Sequence, residues 1–327
     1  MTATQATAPP TEQRYGGHRL APEFYEPARV PPEVARFAGG LDTLPVGSPG
    51  KVGVLQLEVA RTPRATELVG HYQKSPLLIM RPLYYDPVRP DMPYVYLMST
   101  GAGVMQGDRL RTDLVFGPGT STHVTTTAFT KVLKMKHDYA VAQTSLDVGP
   151  GAFVEYLPDP VIAFSDARLY QRTHVRLHPG GTLVAGETFV AGRLALGERH
   201  EYAVVAADLE VERPDGTVVA TDRIRLSPSE RETGGLAVLG DHDVMSTLFV
   251  FTEQAPAREI ADVLHEALAP ARDDGVESGV SVLPGDSGAW VRLLGDDIEQ
   301  VTRPLEQAWR SIRIHLTGHA APAIRKN

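Results

Sequence analysis

The stretch RLRTDLVFGPG, residues 109–119, places apolar residues or threonine at every second position and then stops at a Gly-Pro-Gly turn. Leu110, Thr112, Leu114 and Phe116 would therefore share one face, which is the period-two pattern of a β-strand. Glycine and proline end such a strand because they favour turn conformations. We expect much of the chain to consist of such units, each made of one strand and one turn.

Similar turns return along the chain at a spacing of roughly thirty residues. They lie at Gly149-Pro150-Gly151, at 178–181 and at 213–216, and the prolines at 118, 150, 179 and 214 are 32, 29 and 35 residues apart. A single unit of this size buries only one face, so stacking the units would complete a core. A meander sandwich would give similar spacing. The pattern favours a mainly β chain of stacked, β-helix-like strands.

Helical periodicity occurs only in the C-terminal half of the chain. Apolar residues between 260 and 268 form one stripe, and Pro270 limits that helix. A second helix is predicted from about Arg303 to Leu316, with Thr302 as its N-cap, Pro304 in its first turn and Gly318 at its end. The sequence thus predicts two α-helices beside many strands.

The first fifty residues have a different composition from the rest of the chain. They hold eight of the 26 prolines and show no apolar periodicity, whereas period-two alternation begins after residue 51. We therefore expect an extended or disordered arm over 1–50 and a single β-rich domain over 51–327. The arm is either a tail without function or a segment that orders on a partner, and both interpretations stay open.

Composition excludes several classes of function. The net charge of −8 disfavours nucleic acid and anionic membrane surfaces as partners, and no apolar run is long enough to span a membrane. The absence of cysteine excludes disulfides, thiolate metal sites and a cysteine nucleophile. No signal peptide is visible at the start of the chain. We expect a cytoplasmic protein.

A glycine-rich segment over 101–108 invites comparison with phosphate-binding loops. Asp108 and Arg109 follow its last glycine, where a phosphate loop needs Lys and then Ser or Thr, and a strand follows where a dinucleotide loop needs a helix. The segment is better interpreted as a turn that presents Asp108. Asp108 either hydrogen-bonds this turn or lines a functional cavity, and both alternatives stay open.

The sequence contains no strong signature of catalysis or stable metal binding. There is no His-x-His, no His-Glu-x-x-His and no Gly-x-Ser-x-Gly, and His174 and His178 are best interpreted as a solvated surface pair. No stable metal site is therefore predicted, although scattered oxygen ligands could still pass a cation transiently. Glu155 and Asp159 could serve a carbohydrate-active β-helical enzyme as paired carboxylates. Their Tyr-Leu-Pro context better fits a strand leaving the core.

Taken together, the motifs resemble one known family. They occur in the family's order from about Val52 to Leu316, and they are Pro76-Leu77, Arg81-Pro82-Leu83-Tyr84, Gly107-Asp108-Arg109-Leu110, the stretch 126–132, the stretch 151–158, Gly192-Arg193, Gly197-Glu198, Val291-Arg292-Leu293-Leu294 and the stretch 309–313. This order resembles the urease accessory protein family UreD, also called UreH.

The resemblance implies a non-catalytic role in urease maturation. Proteins of this family bind the urease apoprotein and the accessory protein UreF, which recruits the nickel-carrying GTPase UreG. It also implies a β-helix-like fold with two helices and an internal path for Ni²⁺, which would bind transiently, with no tightly bound cofactor.

Carried over residue by residue, the resemblance assigns two groups of positions. The proposed nickel path comprises Asp108, Thr130, Glu187 and Asp222, and the structural motif positions are Gly101, Gly103, Gly107, Lys131, Gly192 and Arg193. Lys131, Arg193 or Arg223 could instead form structural ion pairs with the path carboxylates.

Overall fold

The structure is a computed structural model that describes residues 19, 21–39, 52–230, 233, 235, 238–272 and 275–324. Within these ranges the chain forms seventeen strands and three α-helices. The helices are α1 (Pro32–Ala35), α2 (Ala257–Leu268) and α3 (Ile298–Thr317). Short 3₁₀ turns cover Pro22–Phe24, Leu194–Leu196, Ala269–Arg272 and Pro284–Asp286.

The strands form two sheets. They are β1 (Val52–Arg61), β2 (Thr66–Lys74), β3 (Leu77–Leu78), β4 (Tyr94–Ser99), β5 (Arg109–Phe116), β6 (Ser121–Thr127), β7 (Thr130–Val132), β8 (Ala140–Val148), β9 (Phe153–Leu157), β10 (Val161–Ala163), β11 (Arg168–Leu177), β12 (Thr182–Val190), β13 (Val204–Glu212), β14 (Val218–Leu226), β15 (Val244–Phe251), β16 (Glu277–Val282) and β17 (Gly288–Gly295). The seven-stranded sheet has the order β14-β13-β11-β8-β5-β1-β2, and the ten-stranded sheet has the order β16-β17-β15-β12-β9-β6-β4-β3 with β7 and β10 attached beside β12.

The middle of the chain winds through about four stacked coils, which confirms the β-helix-like fold. In the parallel ladder of the seven-stranded sheet, Thr112 pairs with Thr144 and Thr144 with Thr173, so successive coils are offset by 32 and then 29 residues. These offsets equal the spacings of the first three turn prolines. Consecutive strands such as β11 and β12 lie in different sheets, so each coil contributes to both walls of the core.

The first three Pro-Gly turns stack on one another at a corner of the solenoid. The Gly119 N–H donates to the Pro150 carbonyl over 2.9 Å, and the His178 N–H donates to the Val148 carbonyl over 3.0 Å. The fourth turn differs from the prediction of a repeating corner. Arg213 to Thr217 closes an antiparallel hairpin between β13 and β14, which ends the parallel ladder on that side.

Apolar side chains between the two sheets form two separate clusters. Leu114, Leu146 and Leu183 belong to one cluster, and Leu110, Leu169 and Phe189 belong to the other. Positions between them on the same inward faces carry polar side chains, including Thr112, Thr144, Gln171 and Glu187. The interior therefore contains a polar belt between two apolar ends.

Helices α2 and α3 cover the outer face of the ten-stranded sheet. Ile260 and Leu264 of α2 and Trp309 of α3 pack in a third cluster with Val291. Helix α2 confirms the apolar stripe, and the 3₁₀ turn Ala269–Arg272 that contains Pro270 follows its last residue.

Helix α3 starts earlier than predicted. Its N-cap is Asp297, whose carboxylate accepts the N–H groups of Glu299 and Gln300, so the prediction of Thr302 as N-cap was wrong. Thr302 lies inside the helix and its hydroxyl donates to the Ile298 carbonyl, and Pro304 is also interior. Gly318 ends the helix with φ 72°, as predicted.

Part of the proposed N-terminal arm lies within the described residues. Val34 of α1 is fully buried against Tyr139 and Tyr170 on the outer face of the seven-stranded sheet. Arg111 Nη1 donates to the Phe24 carbonyl over 2.7 Å. The extended arm predicted for 1–50 otherwise falls on 1–18, 20 and 40–50, outside the described residues.

Among the described residues no helix is long and apolar enough to cross a membrane.

Candidate functional site

A cavity of about 320 Å³ occupies the polar belt between the two sheets. Strands of both sheets line it, because alternate side chains of each strand point inward. The polar lining residues include Thr112 and Thr144 from the seven-stranded sheet and Tyr156 and Glu187 from the ten-stranded sheet. The cavity therefore offers hydroxyl and carboxylate oxygens in an interior that is apolar at both ends.

Glu187 is the acidic residue at the centre of this belt. Gln171 Nε2 donates to Glu187 Oε1 over 2.6 Å. Burial, reinforced by the charge of Asp222, raises the pKa of Glu187 to about 7, although Arg292 and the hydrogen bond from Gln171 oppose the change. Glu187 can therefore change its charge near neutral pH.

Asp222 lies beyond Glu187 and forms an ion pair. Arg292 Nη2 donates to Asp222 Oδ2 over 2.5 Å, and Arg292 Nε donates to the Thr247 hydroxyl over 3.2 Å. The sequence suggested Arg223 as a structural partner of such a carboxylate, but the cation that pairs with Asp222 is Arg292. Asp222 thus influences the cavity mainly through its charge on Glu187.

The other end of the cavity is formed by the glycine turn and the segment after β6. Thr130 and Lys131 line it together with Gly101 and Gly103. Phe129, another lining residue, is 41% exposed, so this end faces solvent. At Gly103 a Cβ atom would lie 2.5 Å from the Lys131 carbonyl oxygen, so glycine is needed for the two segments to approach this closely.

Asp108 is 2% exposed and holds the glycine turn. Its Oδ2 accepts the Met105 N–H over 2.9 Å, and Gly107 before it has φ 73°. Asp108 is not among the residues that line the cavity. Of the four predicted path residues, the structure brings Thr130 and Glu187 to one cavity, places Asp222 next to Glu187 and leaves Asp108 in the turn.

Gly192 and Arg193 lie in a separate turn. Gly192 has φ 153°, and a Cβ atom there would lie 2.3 Å from the Glu198 carbonyl oxygen. The Arg193 guanidinium pairs with the Glu198 carboxylate. Both residues therefore stabilise the loop after β12, and the partner of Arg193 is Glu198 and not one of the proposed path carboxylates.

Two further cavities adjoin the central one. A cavity of about 330 Å³ lies between the ten-stranded sheet and α3 and shares Phe129, Pro158, Asp159 and Thr188 with the central cavity. A small cavity of about 20 Å³ also adjoins the central one and shares Gln171 and Glu187 with it. Asp159 Oδ2 accepts the Thr126 hydroxyl over 3.1 Å where the two larger cavities meet. The central cavity thus shares lining residues with each of the two cavities beside it.

Glu155 is fully buried in a network of charges under α3. Arg313 donates to Glu155 over 2.9 Å and to Asp86 over 2.5 Å, and His123 Nδ1 lies 2.8 Å from Glu155. Burial acts to raise the pKa of Glu155, but His123 and Arg313 outweigh it and hold the pKa below its usual range. A carbohydrate-active enzyme would need both Glu155 and Asp159 to reach its substrate. Glu155 is fully buried and cannot contact a substrate, which argues against this alternative.

Several residues in or beside the cavity were not predicted as site residues. Tyr156 and Gln171 line the cavity and Arg292 pairs with Asp222, but each looks like an ordinary polar position of a period-two strand. A signal appears only when the residue type at each position is combined with the register of the strands. With the register of the coils known, an inward strand position occupied by a polar residue marks the belt.

Comparisons with known proteins show to which family the chain belongs. The profile of the UreD urease accessory protein family matches residues 51–327. The chain belongs to the UreD family. This assignment confirms the resemblance that the order of the sequence motifs indicated.

Relatives in the UreD family span nearly the whole length of the chain. "Urease accessory protein UreD 2" of Streptomyces griseus is 50% identical over 295 residues, which cover 90% of this chain and all of the relative. "Urease accessory protein UreD" of Haloarcula marismortui is 39% identical over 86% of this chain and 92% of the relative. The protein of the same name from Cenarchaeum symbiosum is 31% identical over 86% of this chain and 99% of the relative. The names describe accessory proteins of urease, which implies a non-catalytic role.

Proposed function

We propose that this protein is a non-catalytic scaffold for urease maturation in the cytoplasm. It binds the urease apoprotein and UreF, reaches the GTPase UreG through UreF, and offers Ni²⁺ an internal path toward the urease active site. Membership of the UreD family supports the maturation role. The single observation that supports the path is the group of three adjoining cavities, two of which Glu187 lines.

The chemistry of the central cavity suits a cation in transit. Carboxylate, hydroxyl and amide oxygens line it, and the chain has no cysteine that would hold Ni²⁺ as a thiolate. Harder oxygen ligands hold such an ion less firmly than thiolates do. A path needs ligands that bind strongly enough to admit the ion and weakly enough to release it.

Glu187 gives this path a proton-coupled step. With a pKa of about 7, its carboxylate is partly protonated at neutral pH, and an arriving cation displaces the proton. Gln171 binds one oxygen of this carboxylate, and Glu187 lines the cavity. Arg292 neutralises the neighbouring Asp222, which keeps the local charge too small to trap a divalent ion.

The maturation role is tested by urease activity in cells that express the cognate urease subunits and the other accessory proteins. The assay is run with and without this chain across a series of nickel concentrations. We expect activity to be lost on omission while the urease apoprotein stays folded and soluble. Undiminished activity without the chain at limiting nickel would contradict the proposal.

A further inference from the structure

A second group of metal-ligating side chains lies on the outward face of the seven-stranded sheet. His174 of β11 pairs in register with Glu210 of β13, and Glu212 follows two residues later on the same face. The neighbours Val175 and Leu209 point into the core between the sheets. The three polar side chains therefore lie on the opposite side of the sheet from the central cavity.

The donor atoms of this group converge. His174 Nε2 lies 3.3 Å from Glu212 Oε1 and 4.0 Å from Glu210 Oε1, and one donor atom of each residue lies within 4.8 Å of the other two. Two ligands that each bind an ion at about 2.1 Å can be at most about 4.2 Å apart. Both distances from His174 meet this limit, and rotation of a terminal carboxylate torsion can close the third.

Burial and charge also suit an ion at this position. The side chains of His174, Glu210 and Glu212 are 20%, 35% and 19% exposed, so they are held by the sheet yet open to solvent. Two carboxylates face one imidazole, and the nearest guanidinium, that of Arg176, is 48% exposed and lies 3.9 Å from Glu212. The local charge is therefore negative when the imidazole is neutral.

We propose that His174, Glu210 and Glu212 bind one divalent transition-metal ion of the Ni²⁺ or Zn²⁺ type. One imidazole nitrogen and two carboxylates suit these borderline cations, whereas Mg²⁺ and Ca²⁺ prefer oxygen ligands alone. The ion joins β11 to β13 across the parallel ladder. This site is separate from the cavity around Glu187 and does not depend on the proposed nickel path.

The alternative without metal is an ion pair between a protonated His174 and the two glutamates. The two cases differ in what His174 contributes. In the metal site its unprotonated nitrogen is a ligand, so replacement by glutamine removes ion binding. In the ion pair the same replacement leaves binding of added metal unchanged.

The test is equilibrium dialysis of the purified, chelator-treated full-length protein against NiCl₂ and, separately, ZnCl₂. We expect His174→Gln to bind one ion fewer per chain and Glu212→Gln to weaken that site by about tenfold or more. His178→Gln is the matched control, because His178 directly follows the last residue of the same strand and contacts Asp147 over 2.9 Å. Glu187→Gln should also retain the site.

Unchanged stoichiometry and affinity in both His174→Gln and Glu212→Gln would overturn the proposal. Far-UV circular dichroism and the Tm without metal establish that each variant is folded, and Glu210→Gln replaces any variant that is not. In the wild type the ion should raise Tm with concentration, because it binds the folded state, and in His174→Gln this rise should be lost. None of these measurements involves urease, so their failure leaves the maturation role intact.

Discussion

Gln171 of the seven-stranded sheet and Glu187 of the ten-stranded sheet meet across the interior, with 2.6 Å between the amide nitrogen and the carboxylate oxygen. They are only 16 residues apart, and they face each other because consecutive strands of one coil lie in opposite sheets. A buried carboxylate held by a neutral amide keeps its proton more readily than one held by a cation. Burial and the charge of Asp222 raise the pKa of Glu187 to about 7 despite this contact, so Glu187 can respond to pH and to cations near neutrality.

Glu187→Gln should stabilise the protein at alkaline pH. The pKa of Glu187 rises from 4.5 to about 7 on folding, so the folded state holds this proton more tightly than the unfolded chain does. Its contribution is fully present below pH 4.5 and is lost as the pH rises through 7. At pH 8 the variant should exceed the wild type by about 1–3 kcal/mol.

Urea unfolding at pH 8, 7, 6 and 5 measures this difference, which should shrink steadily toward the acidic end. Glu277→Gln, at a position whose side chain is 74% exposed, is the control and should show little change at any pH. A difference for Glu187→Gln that is the same at pH 8 and pH 5 would mean that the carboxylate has an ordinary pKa in the folded protein.

Arg313→Met should strongly destabilise the fold. Arg313 is fully buried and binds both Asp86 and Glu155, so its removal leaves two buried carboxylates without their cation. Breaking such a pair costs about 3–5 kcal/mol. Arg303→Met is the control, because Arg303 pairs with Glu299 on the surface of the same helix. Equal urea midpoints for the two variants would exclude a structural role for the network.

Gly103→Ala and Gly101→Ala should differ although both glycines line the same cavity. The added methyl group would lie 2.5 Å from the Lys131 carbonyl oxygen at position 103, but no closer than 3.5 Å to any atom at position 101. Overpacking of this kind costs about 1–3 kcal/mol. Thermal unfolding of both variants checks this, and equal stability would mean that the segment at 131 moves freely.

Asp297→Ala should weaken α3, whereas Thr302→Ala should not. Asp297 accepts two N–H groups at the helix start, and loss of such a cap costs about 1 kcal/mol. Thr302 bonds only to a carbonyl inside the helix, so its loss should change stability by less than about 0.5 kcal/mol. Urea unfolding compares the two variants. The reverse order would restore Thr302 as the N-cap.

Features that repeat locally could be predicted from the sequence. The spacing of Pro118, Pro150 and Pro179 matches the offset of the parallel coils because each proline occupies the same corner of successive turns. The turn at Pro214 also contains proline and glycine but closes a hairpin, because β14 pairs antiparallel with β13. The residues of a turn determine where a strand ends, but they do not determine how the following strand pairs.

Contacts between distant coils could not be predicted in this way. Arg313 meets Glu155 across 158 residues, and His174 meets Glu210 only through the register of two stacked strands. The sequence spacing of His174 and His178 suggested a pair, but in the structure each contacts a different carboxylate. Charge partners depend on the side chains that each coil places opposite the next, which local pattern does not encode.

Urease activation by Glu187→Gln at limiting nickel tests the central claim most directly. The variant keeps the shape of the side chain and should be at least as stable as the wild type at neutral pH, so lost activity cannot be attributed to unfolding. We predict unchanged co-purification with the urease apoprotein and UreF, several-fold lower activation at limiting nickel, and normal activation by Glu277→Gln. Activation by Glu187→Gln equal to that of the wild type at every nickel concentration would contradict the path through this cavity.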